Sequence, residues 1–255
     1  MAAVQSVVTP QAPIKSAPHS AACLDTEALF GESVTVDECE NGFSHVVLGT
    51  DGYRGWMPSA CLGAMPDVTH QVIVPHSYVT AGADVKSPGI SHLSLGARVH
   101  VFPHPDDDGT SPFVEIDFAG TPGFVPRAHI SPLTAVCDDW VAVAEQLMGC
   151  PYRWGGRAST GLDCSALVQL SLAVAGKVVP RDSGPQHAIG YALDETDELQ
   201  RGDLVFWTGH VGIMQDRDRL LHANAHHMAV ASEPLAVAIR RIAATAGPVS
   251  ARRRP

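Results

Sequence analysis

The sequence lacks the features that mark several large classes of protein. No stretch approaches the ~20 consecutive apolar residues that cross a bilayer, and residues 1–20 contain no apolar run as long as that of a signal peptide. Acidic residues outnumber basic ones, and the formal net charge of −10 argues against a surface that binds nucleic acid. We therefore expect neither a membrane span nor a nucleic-acid partner.

Cysteine is present, but not in the spacing of a zinc ribbon. The six cysteines form no CxxC pair, and a disulfide framework is unexpected in a chain of 255 residues. Free thiols on this scale suit a reducing compartment. Together with the missing signal-peptide run, this predicts a cytoplasmic protein.

Length and composition indicate a folded protein with more than one domain. Hydrophobic residues make up 45% of the chain and charged residues 17%, which is ordinary for globular proteins. A chain of 255 residues usually forms two or three domains, each able to bury a core.

The N-terminal half is a series of short strand-like runs. Residues 1–20, rich in Ala, Pro, Ser and Gln, predict a flexible arm. Over residues 21–65, apolar residues alternate in GESVTV and FSHVVL, and ENG and DG supply turns. The pattern recurs over residues 66–133, where LGARVHV, FVEIDF and GFVPRAHI correspond to FGESVTV, FSHVVL and GWMPSACL. This repeat predicts two small β-barrels.

Residues 134–250 predict a mixed α+β domain. DDWVAVAEQLMG has helical periodicity with Asp138 or Asp139 as the cap, and ALVQLSLAVAG continues as a second helix. GDLVFW, GHVGIM, LLHAN and MAVASEP are strand-like, and PLAVAIRRI predicts a closing helix. Residues 251–255 contain an arginine run that predicts a solvated basic tail.

Cys164 stands at the predicted start of the second helix. The segment PYRWGGRASTGLDCSA places turn-forming glycines and Asp163 before the apolar run. The helix macrodipole and the unpaired N–H groups at such a position favour a thiolate. Cys164 is therefore a candidate nucleophile, and a buried structural thiol is the alternative.

Two histidines supply what a thiol nucleophile needs. His210 begins the run HVGIM, and His222 lies within LLHAN. Two neighbouring antiparallel strands would set the imidazoles side by side. One ring would then face the thiol while the other orients it.

These motifs resemble those of the NlpC/P60 cysteine peptidases, papain-like enzymes that cut bacterial cell-wall peptides. The resemblance rests on YRWGG, DCS, GDLVFW followed by GHVGI, and LLHA, and it covers residues 136–248. It implies that Cys164 attacks, that His210 is the base and that His222 orients the base. It also implies that Tyr152 helps to hold the oxyanion.

The resemblance extends to the fold class. GWMP and GFVP are similar to bacterial SH3-like domains, which often precede NlpC/P60 catalytic domains. The predicted fold class is thus α+β, with a papain-like NlpC/P60 catalytic domain preceded by two small SH3-like β-barrels.

A substrate is implied as well. The motif RDS within VPRDSGPQ matches the branch that cuts next to γ-D-glutamyl residues and requires a free peptide amino terminus, which assigns Asp182 and Ser183 to that amine. An ammonium group entering a partly desolvated cleft needs a carboxylate, and a blocked substrate would leave the carboxylate unpaired. Tyr53 matches a tyrosine that lines the same pocket in relatives, and Glu32 is a candidate second carboxylate. Ser165 is a candidate for bonding the substrate backbone.

Each of these assignments has a structural alternative. Asp182 followed by Ser183 also fits a helix cap and an ordinary turn. Tyr53 also fits packing of a strand end on the neighbouring domain. Ser165 also fits a cap of its own helix.

The histidines of HANAHH raise the question of a metal. His222 and His226 are four positions apart, as on one helix face. The segment is strand followed by turn, however, and the glutamate of the HExxH motif is missing. We therefore expect no metal, and we expect His226 and His227 to be exposed loop residues.

Taken together, the sequence predicts a cysteine peptidase of the γ-D-glutamyl-L-diamino acid endopeptidase, or dipeptidyl-peptidase VI, branch. It would hydrolyse the γ-D-glutamyl-diamino acid bond of murein peptides with a free N-terminal L-Ala, in cell-wall peptide recycling, without a cofactor. One alternative is a protein that holds wall peptides without cutting them. Another is an NlpC/P60 hydrolase or amidase with a different peptide substrate.

Overall fold

The chain folds into two compact units. The structure, a computed structural model, describes residues 3–105 and 108–255. One unit ends at Val136 and contains strands, and the other, Cys137–Pro255, combines helices with an antiparallel sheet. The predicted α+β fold class is confirmed.

The first unit begins with a sheet whose strands pair antiparallel. Its strands are β1 (Ala3–Val7), β2 (Gln11–Lys15), β3 (Leu24–Leu29), β4 (Ser33–Glu40), β5 (Phe43–Leu48), β6 (Arg54–Pro58) and β7 (Leu62–Gly63), in the order β3-β2-β6-β5-β4-β1-β7. Every second residue of β5 is buried, because strand side chains alternate between the two faces. Val46 and Leu48 thereby join Met57 in one core.

A second sheet in this unit repeats the topology of the first. Its strands are β8 (His70–Val72), β9 (His76–Thr80), β10 (Gly89–Ser94), β11 (Arg98–Val101), β12 (Phe113–Phe118), β13 (Thr121–Pro126) and β14 (Ile130–Pro132). Their order, β10-β9-β13-β12-β11-β8-β14, is that of the first sheet with every number raised by seven. The repeated strand patterns of the sequence therefore fold into two SH3-like copies of one arrangement.

The start of the chain differs from the predicted flexible arm over residues 1–20. β1 pairs with β4 and β7, and β2 pairs with β3 and β6. Val7, Ala12 and Ile14 are fully buried in the core. Proline, serine and alanine gave the segment a composition typical of disordered chains. Its alternating small apolar residues are nevertheless enough to form strands when partner strands lie on both sides. Met1 and Ala2 lie outside the described residues.

The second unit places helices against one sheet. Its helices are α1 (Trp140–Gln146), α2 (Cys164–Val174), α3 (Ser183–Gln186) and α4 (Leu235–Ala246). Its strands are β15 (Arg157–Ala158), β16 (Gly161–Leu162), β17 (Tyr191–Ala192), β18 (Leu204–Trp207), β19 (His210–Met214), β20 (Arg219–Asn224), β21 (Ala229–Pro234) and β22 (Ala251–Arg254). The main sheet has the order β17-β22-β18-β19-β20-β21, and α2 packs on β19 and β20.

Residues 251–255 are not the predicted solvated tail. β22 lies between β17 and β18 and pairs antiparallel with both. The Arg254 guanidinium donates to both carboxylate oxygens of the fully buried Asp203, at 2.7 and 2.8 Å. The arginine run predicted a solvated tail. The buried Asp203 carboxylate and the backbone pairing with β17 and β18 hold the run in the sheet instead.

None of the helices in the described residues is both long and apolar enough to span a bilayer. All six cysteines, each within the described ranges, are free thiols.

Candidate active site

Cys164 is the first residue of α2. Asp163 caps the helix with an extended backbone (φ −100°, ψ −179°), and its Oδ1 accepts a hydrogen bond from the Ala166 N–H at 2.9 Å. Cys164 as a whole residue is 7% exposed. The predicted position of Cys164 at a helix start is confirmed.

Two glycines shape the loop that precedes the thiol. Gly155 has φ +73°, a conformation that costs little only for glycine, and its N–H donates to Asp163 Oδ2 at 3.0 Å. A Cβ on Gly156 would lie 2.2 Å from the Gly161 carbonyl oxygen, so a side chain does not fit there. The YRWGG segment can therefore wrap closely around Asp163.

Arg181, the arginine of the RDS motif, is buried beneath this loop. Its Nη1 donates to Asp163 Oδ1 at 2.9 Å, and its Nη2 donates to Asp163 Oδ2 at 2.7 Å. The same guanidinium donates to Ser165 Oγ at 2.9 Å and to the Gly156 carbonyl at 3.2 Å. Arg181 belongs to the RDS motif, but no role was predicted for it from the sequence. We call these four residues, Arg181, Asp163, Ser165 and Gly156, the arginine clamp.

The two histidines lie on neighbouring antiparallel strands, as predicted. His210 opens β19, His222 lies in β20, and His210 Nε2 is 2.8 Å from His222 Nδ1. His222 is fully buried. The ring of Trp207 lies against that of His210, with a centroid separation of 5.8 Å.

The histidine pair continues into residues that the sequence did not single out. His222 Nε2 is 2.9 Å from Glu233 Oε1 on β21, and Arg241 Nη2 on α4 donates to the same oxygen. Alternation along β21 predicts that Glu233 and Ala231 lie on one face of the strand. The contact of Glu233 with His222 also requires the register that sets Ala231 opposite His222, and the sequence does not reveal that register. We call His210, His222, Glu233 and Arg241 the histidine row.

The thiol lies beside the strand that carries His210. The backbone N–H groups of Val211 and Ser165 lie close enough to the sulfur to lower the pKa of its thiol. Val211 directly follows His210, and α2 packs on β19. The structure thus brings the start of α2 to the start of β19, where the first imidazole stands.

Burial dominates the protonation of these groups. Burial and the Asp163 carboxylate raise the pKa of the Cys164 thiol to about 12. Burial, followed by the charges of His222 and Arg241, lowers the pKa of His210 to about 3. The resting pair is therefore a neutral thiol beside a neutral imidazole.

This protonation state differs from the sequence-based expectation of a thiolate at the helix start. The difference has a physical cause, because the residue that caps the helix is itself a carboxylate. Asp163 places negative charge beside the sulfur, and the helix end lies out of water, where the charged thiolate is disfavoured.

Tyr152 is half-buried near the sulfur. Burial, followed by the electrostatic effects of Cys164 and Asp163, raises the pKa of Tyr152 to about 12, so its hydroxyl keeps its proton and remains a hydrogen-bond donor. The Tyr152 N–H donates to the Met228 carbonyl at 3.0 Å, which holds the residue beside the loop that leads into β21. Its role at the oxyanion stays a prediction.

The residues predicted to bind the substrate lie in different settings. Asp182 occupies the N-cap position of α3 and is exposed, and Ser183 begins that helix half-buried. Within the described part of the chain, no capping hydrogen bond runs from the Asp182 side chain to its own helix. Ser165 is buried, and its hydroxyl also donates to Asp163 Oδ1 at 3.2 Å within the arginine clamp. Their contacts with substrate stay predictions.

Tyr53 and Glu32 lie in the first SH3-like sheet. Tyr53 packs half-buried against the core of that sheet. Glu32 is buried, and it accepts hydrogen bonds from the Leu29 N–H at 2.7 Å and from the Thr50 hydroxyl at 3.0 Å. Their predicted roles in recognising the substrate amine stay predictions.

Two members of the histidine row and a neighbouring histidine present donor atoms of the kind that bind metal ions. His222, His227 and Glu233 present donor atoms within 4.8 Å of one another. Both ring nitrogens of His222 are in hydrogen bonds, and Glu233 accepts from Arg241, so a metal ion would have to displace those bonds. The geometry is that of a hydrogen-bonded row.

Each of the two units contains a segment that matches a known protein family. Residues 149–241 match the NlpC/P60 family, and residues 14–62 match the bacterial dipeptidyl-peptidase Sh3 domain. The chain is 30% identical over 172 residues to a probable endopeptidase NlpC homolog of Haemophilus influenzae, which covers 66% of this chain and 79% of that protein.

A curated relative and a solved structure, both from Bacillus cereus, are also similar. A gamma-D-glutamyl-L-lysine dipeptidyl-peptidase is 28% identical over 223 residues, covering 81% of this chain, and the match spans 64% of that relative's length. A crystal structure of an NlpC/P60 family protein has a TM-score of 0.81 with 20% identity and covers 99% of each chain. That likeness shows the same fold.

Proposed function

Because the chain belongs to the NlpC/P60 family, we propose that it is a cysteine peptidase that hydrolyses peptides of the bacterial cell wall. The scissile bond would be the one that joins γ-D-glutamate to a diamino acid. The name of the Bacillus cereus relative, a gamma-D-glutamyl-L-lysine dipeptidyl-peptidase, supports this choice of bond.

The observation that carries the proposal is the junction of α2 with the histidine row. Cys164 begins the helix beside the backbone N–H of Val211, the residue after His210, and His210 Nε2 lies 2.8 Å from His222 Nδ1. A nucleophile, a base and a group that orients the base are the parts that covalent acyl transfer requires.

The proposed reaction follows from these parts. His210 takes the thiol proton as the sulfur attacks the γ-glutamyl carbonyl, because both groups are neutral at rest. The Cys164 N–H and the Tyr152 hydroxyl would stabilise the oxyanion, each contributing ~3 kcal/mol as in comparable sites. His210 then returns the proton to the leaving amine, which leaves a thioester on Cys164. Water activated by His210 hydrolyses the thioester and restores the thiol.

Asp182 and Ser183 would select substrates with a free amino terminus. An exposed carboxylate at the start of α3 can pair with the α-ammonium group of L-Ala. Recognition of that amine would fix the cut two residues from the end. A cytoplasmic location and a role in peptide recycling remain part of the proposal, supported by six free thiols.

Product analysis tests this proposal. L-Ala-γ-D-Glu-L-Lys and its meso-diaminopimelate analogue, each with a free or an acetylated amino terminus, would be incubated with the protein and with Cys164→Ala. We expect L-Ala-γ-D-Glu to be released by the unmodified protein from the free-amine peptides alone. Binding without any cleavage would instead indicate a peptide-holding protein, and cleavage at another bond would indicate a different hydrolase.

A further inference from the structure

Glu233 and Arg241 extend the histidine row beyond the groups that the proposed reaction uses. Glu233 is 7% exposed, and Oε1 accepts from both His222 Nε2 (2.9 Å) and Arg241 Nη2. The hydrogen bonds of Glu233 run to His222 and Arg241, so its contribution to the reaction passes through the imidazole rings.

The hydrogen bonds of the row determine which nitrogens carry protons. A carboxylate can only accept, so the proton in the bond to Glu233 sits on His222 Nε2. A neutral imidazole carries one N–H, which leaves His222 Nδ1 as an acceptor. The bond at 2.8 Å therefore needs the proton on His210 Nε2. His210 Nδ1 is then the unprotonated nitrogen, available as a base.

We infer that Glu233 is a positioning residue that fixes the tautomers of His222 and His210, while Arg241 holds the Glu233 carboxylate in place. This inference deepens the proposed function and rests on it. When His210 Nδ1 takes the proton from the Cys164 sulfur, the N–H at His210 Nε2 stays on its bond to His222. The new positive charge is then stabilised through His222 by the carboxylate, which is not itself protonated.

Charges around the row act in opposite directions. The charged or titratable groups that act on the two rings are Glu233 on β21, Arg241 on α4, and His226 and His227 after β20. Asp163, the cap of α2, and Arg181 act on the nearby Cys164 thiol. Glu233 raises the pKa of His210, whereas Arg241 lowers the pKa of both His210 and His222. Removing Glu233 and removing Arg241 should therefore move the proton affinity of His210 in opposite directions.

Glu233→Gln tests the tautomer effect. A glutamine amide can donate as well as accept, and an amide that donates to His222 Nε2 would move the row's protons so that His210 Nδ1 is protonated. We expect kcat to fall by roughly 100-fold, with KM little changed, because a histidine in the wrong tautomer is a poor base. Glu198→Gln, an exposed surface pair partner of Arg217, is the matched control and should keep normal kinetics.

Nitrogen NMR of the imidazoles tests the inference without relying on activity. In the unmodified protein near neutral pH we expect Nε2–H tautomers for both His210 and His222, and in Glu233→Gln a loss of that single arrangement. An Nδ1–H tautomer of His222 in the unmodified protein would overturn the inference, even if that protein cleaves its substrate. If the predicted tautomers are found but no peptide is cleaved, the proposed function fails and the inferred positioning stands.

The pH profile separates positioning from simple structural support. Arg241→Met should move the acid limb of kcat/KM to higher pH, and Glu233→Gln should move it to lower pH. A structural role alone would lower the activity of both variants without moving either limb, and that outcome would contradict the inference.

Discussion

Arg181 and Asp163 form a buried, bidentate ion pair directly under the nucleophile. The two N–O distances are 2.9 and 2.7 Å, and the residues are 3% and 7% exposed. Since Asp163 also caps α2, the pair ties the helix that begins with Cys164 to the RDS segment. The position of the thiol thus depends on an arginine 17 residues downstream of it.

Arg181→Met should destabilise the fold strongly. The change leaves the Asp163 carboxylate buried without its guanidinium, and breaking a buried pair in this way costs ~3–5 kcal/mol. Urea denaturation would measure the free energy of unfolding. Arg217→Met removes the exposed pair with Glu198 and should cost less than ~1 kcal/mol. Equal losses in the free energy of unfolding for the two variants would show that the buried pair does not stabilise the fold around Cys164.

Alkylation of Cys164 should speed up with pH across the neutral and alkaline range. A thiol whose pKa is raised to about 12 is protonated at neutral pH, so its thiolate fraction rises about tenfold with each pH unit. Iodoacetamide labelling at pH 7 to 10, followed by peptide mapping, separates Cys164 from the exposed Cys23 and Cys39. A rate that is already at its plateau near pH 7 would show a preformed thiolate-imidazolium pair instead.

Asp182→Ala should weaken the binding of peptides with a free amino terminus. Loss of a charge-assisted hydrogen bond predicts a KM higher by roughly 10- to 100-fold for L-Ala-γ-D-Glu-L-Lys. Steady-state kinetics would compare it with Asp138→Ala, an exposed aspartate for which we expect an unchanged KM. Equal cleavage of an N-acetylated peptide by the unmodified protein would rule out recognition of the amine.

The folded protein should lose stability between pH 7 and pH 5. His210 and His222 have pKa values lowered to about 3 in the folded state, against 6.5 for the ordinary group. Below pH 6.5 the unfolded chain therefore binds protons that the folded chain does not, and unfolding becomes easier as the pH falls. At pH 5 this amounts to about 2 kcal/mol per histidine.

Thermal or urea unfolding of His222→Gln at both pH values checks this effect. The loss between pH 7 and pH 5 should be smaller in the variant than in the unmodified protein. His19→Gln, at an exposed turn, should keep the full loss. If His222→Gln loses as much stability between pH 7 and pH 5 as the unmodified protein, the buried histidine does not cause the pH dependence.

Local sequence signals predicted the parts of the site that depend on short-range structure. Asp163 before an apolar run predicted the helix start at Cys164, and the β-rich runs around His210 and His222 predicted adjacent strands. In each case the residues that set the local conformation are close together in the chain.

The remaining parts depend on contacts between distant segments. Arg181 reaches Asp163 across 18 positions, and Glu233 reaches His222 across 11, through a strand register that periodicity does not fix. Composition also misled at both ends of the chain. Proline and serine in residues 1–20 and the arginines of β22 indicated exposure, whereas tertiary pairing incorporates both segments into sheets.

Trapping the acyl-enzyme tests the central claim most directly. The unmodified protein would be mixed with L-Ala-γ-D-Glu-L-Lys, quenched in acid within one turnover and analysed by mass spectrometry. We predict an L-Ala-γ-D-Glu adduct on the peptide that contains Cys164, and no adduct or product with Cys164→Ala. Normal release of product by Cys164→Ala would contradict the assignment of Cys164 as the nucleophile.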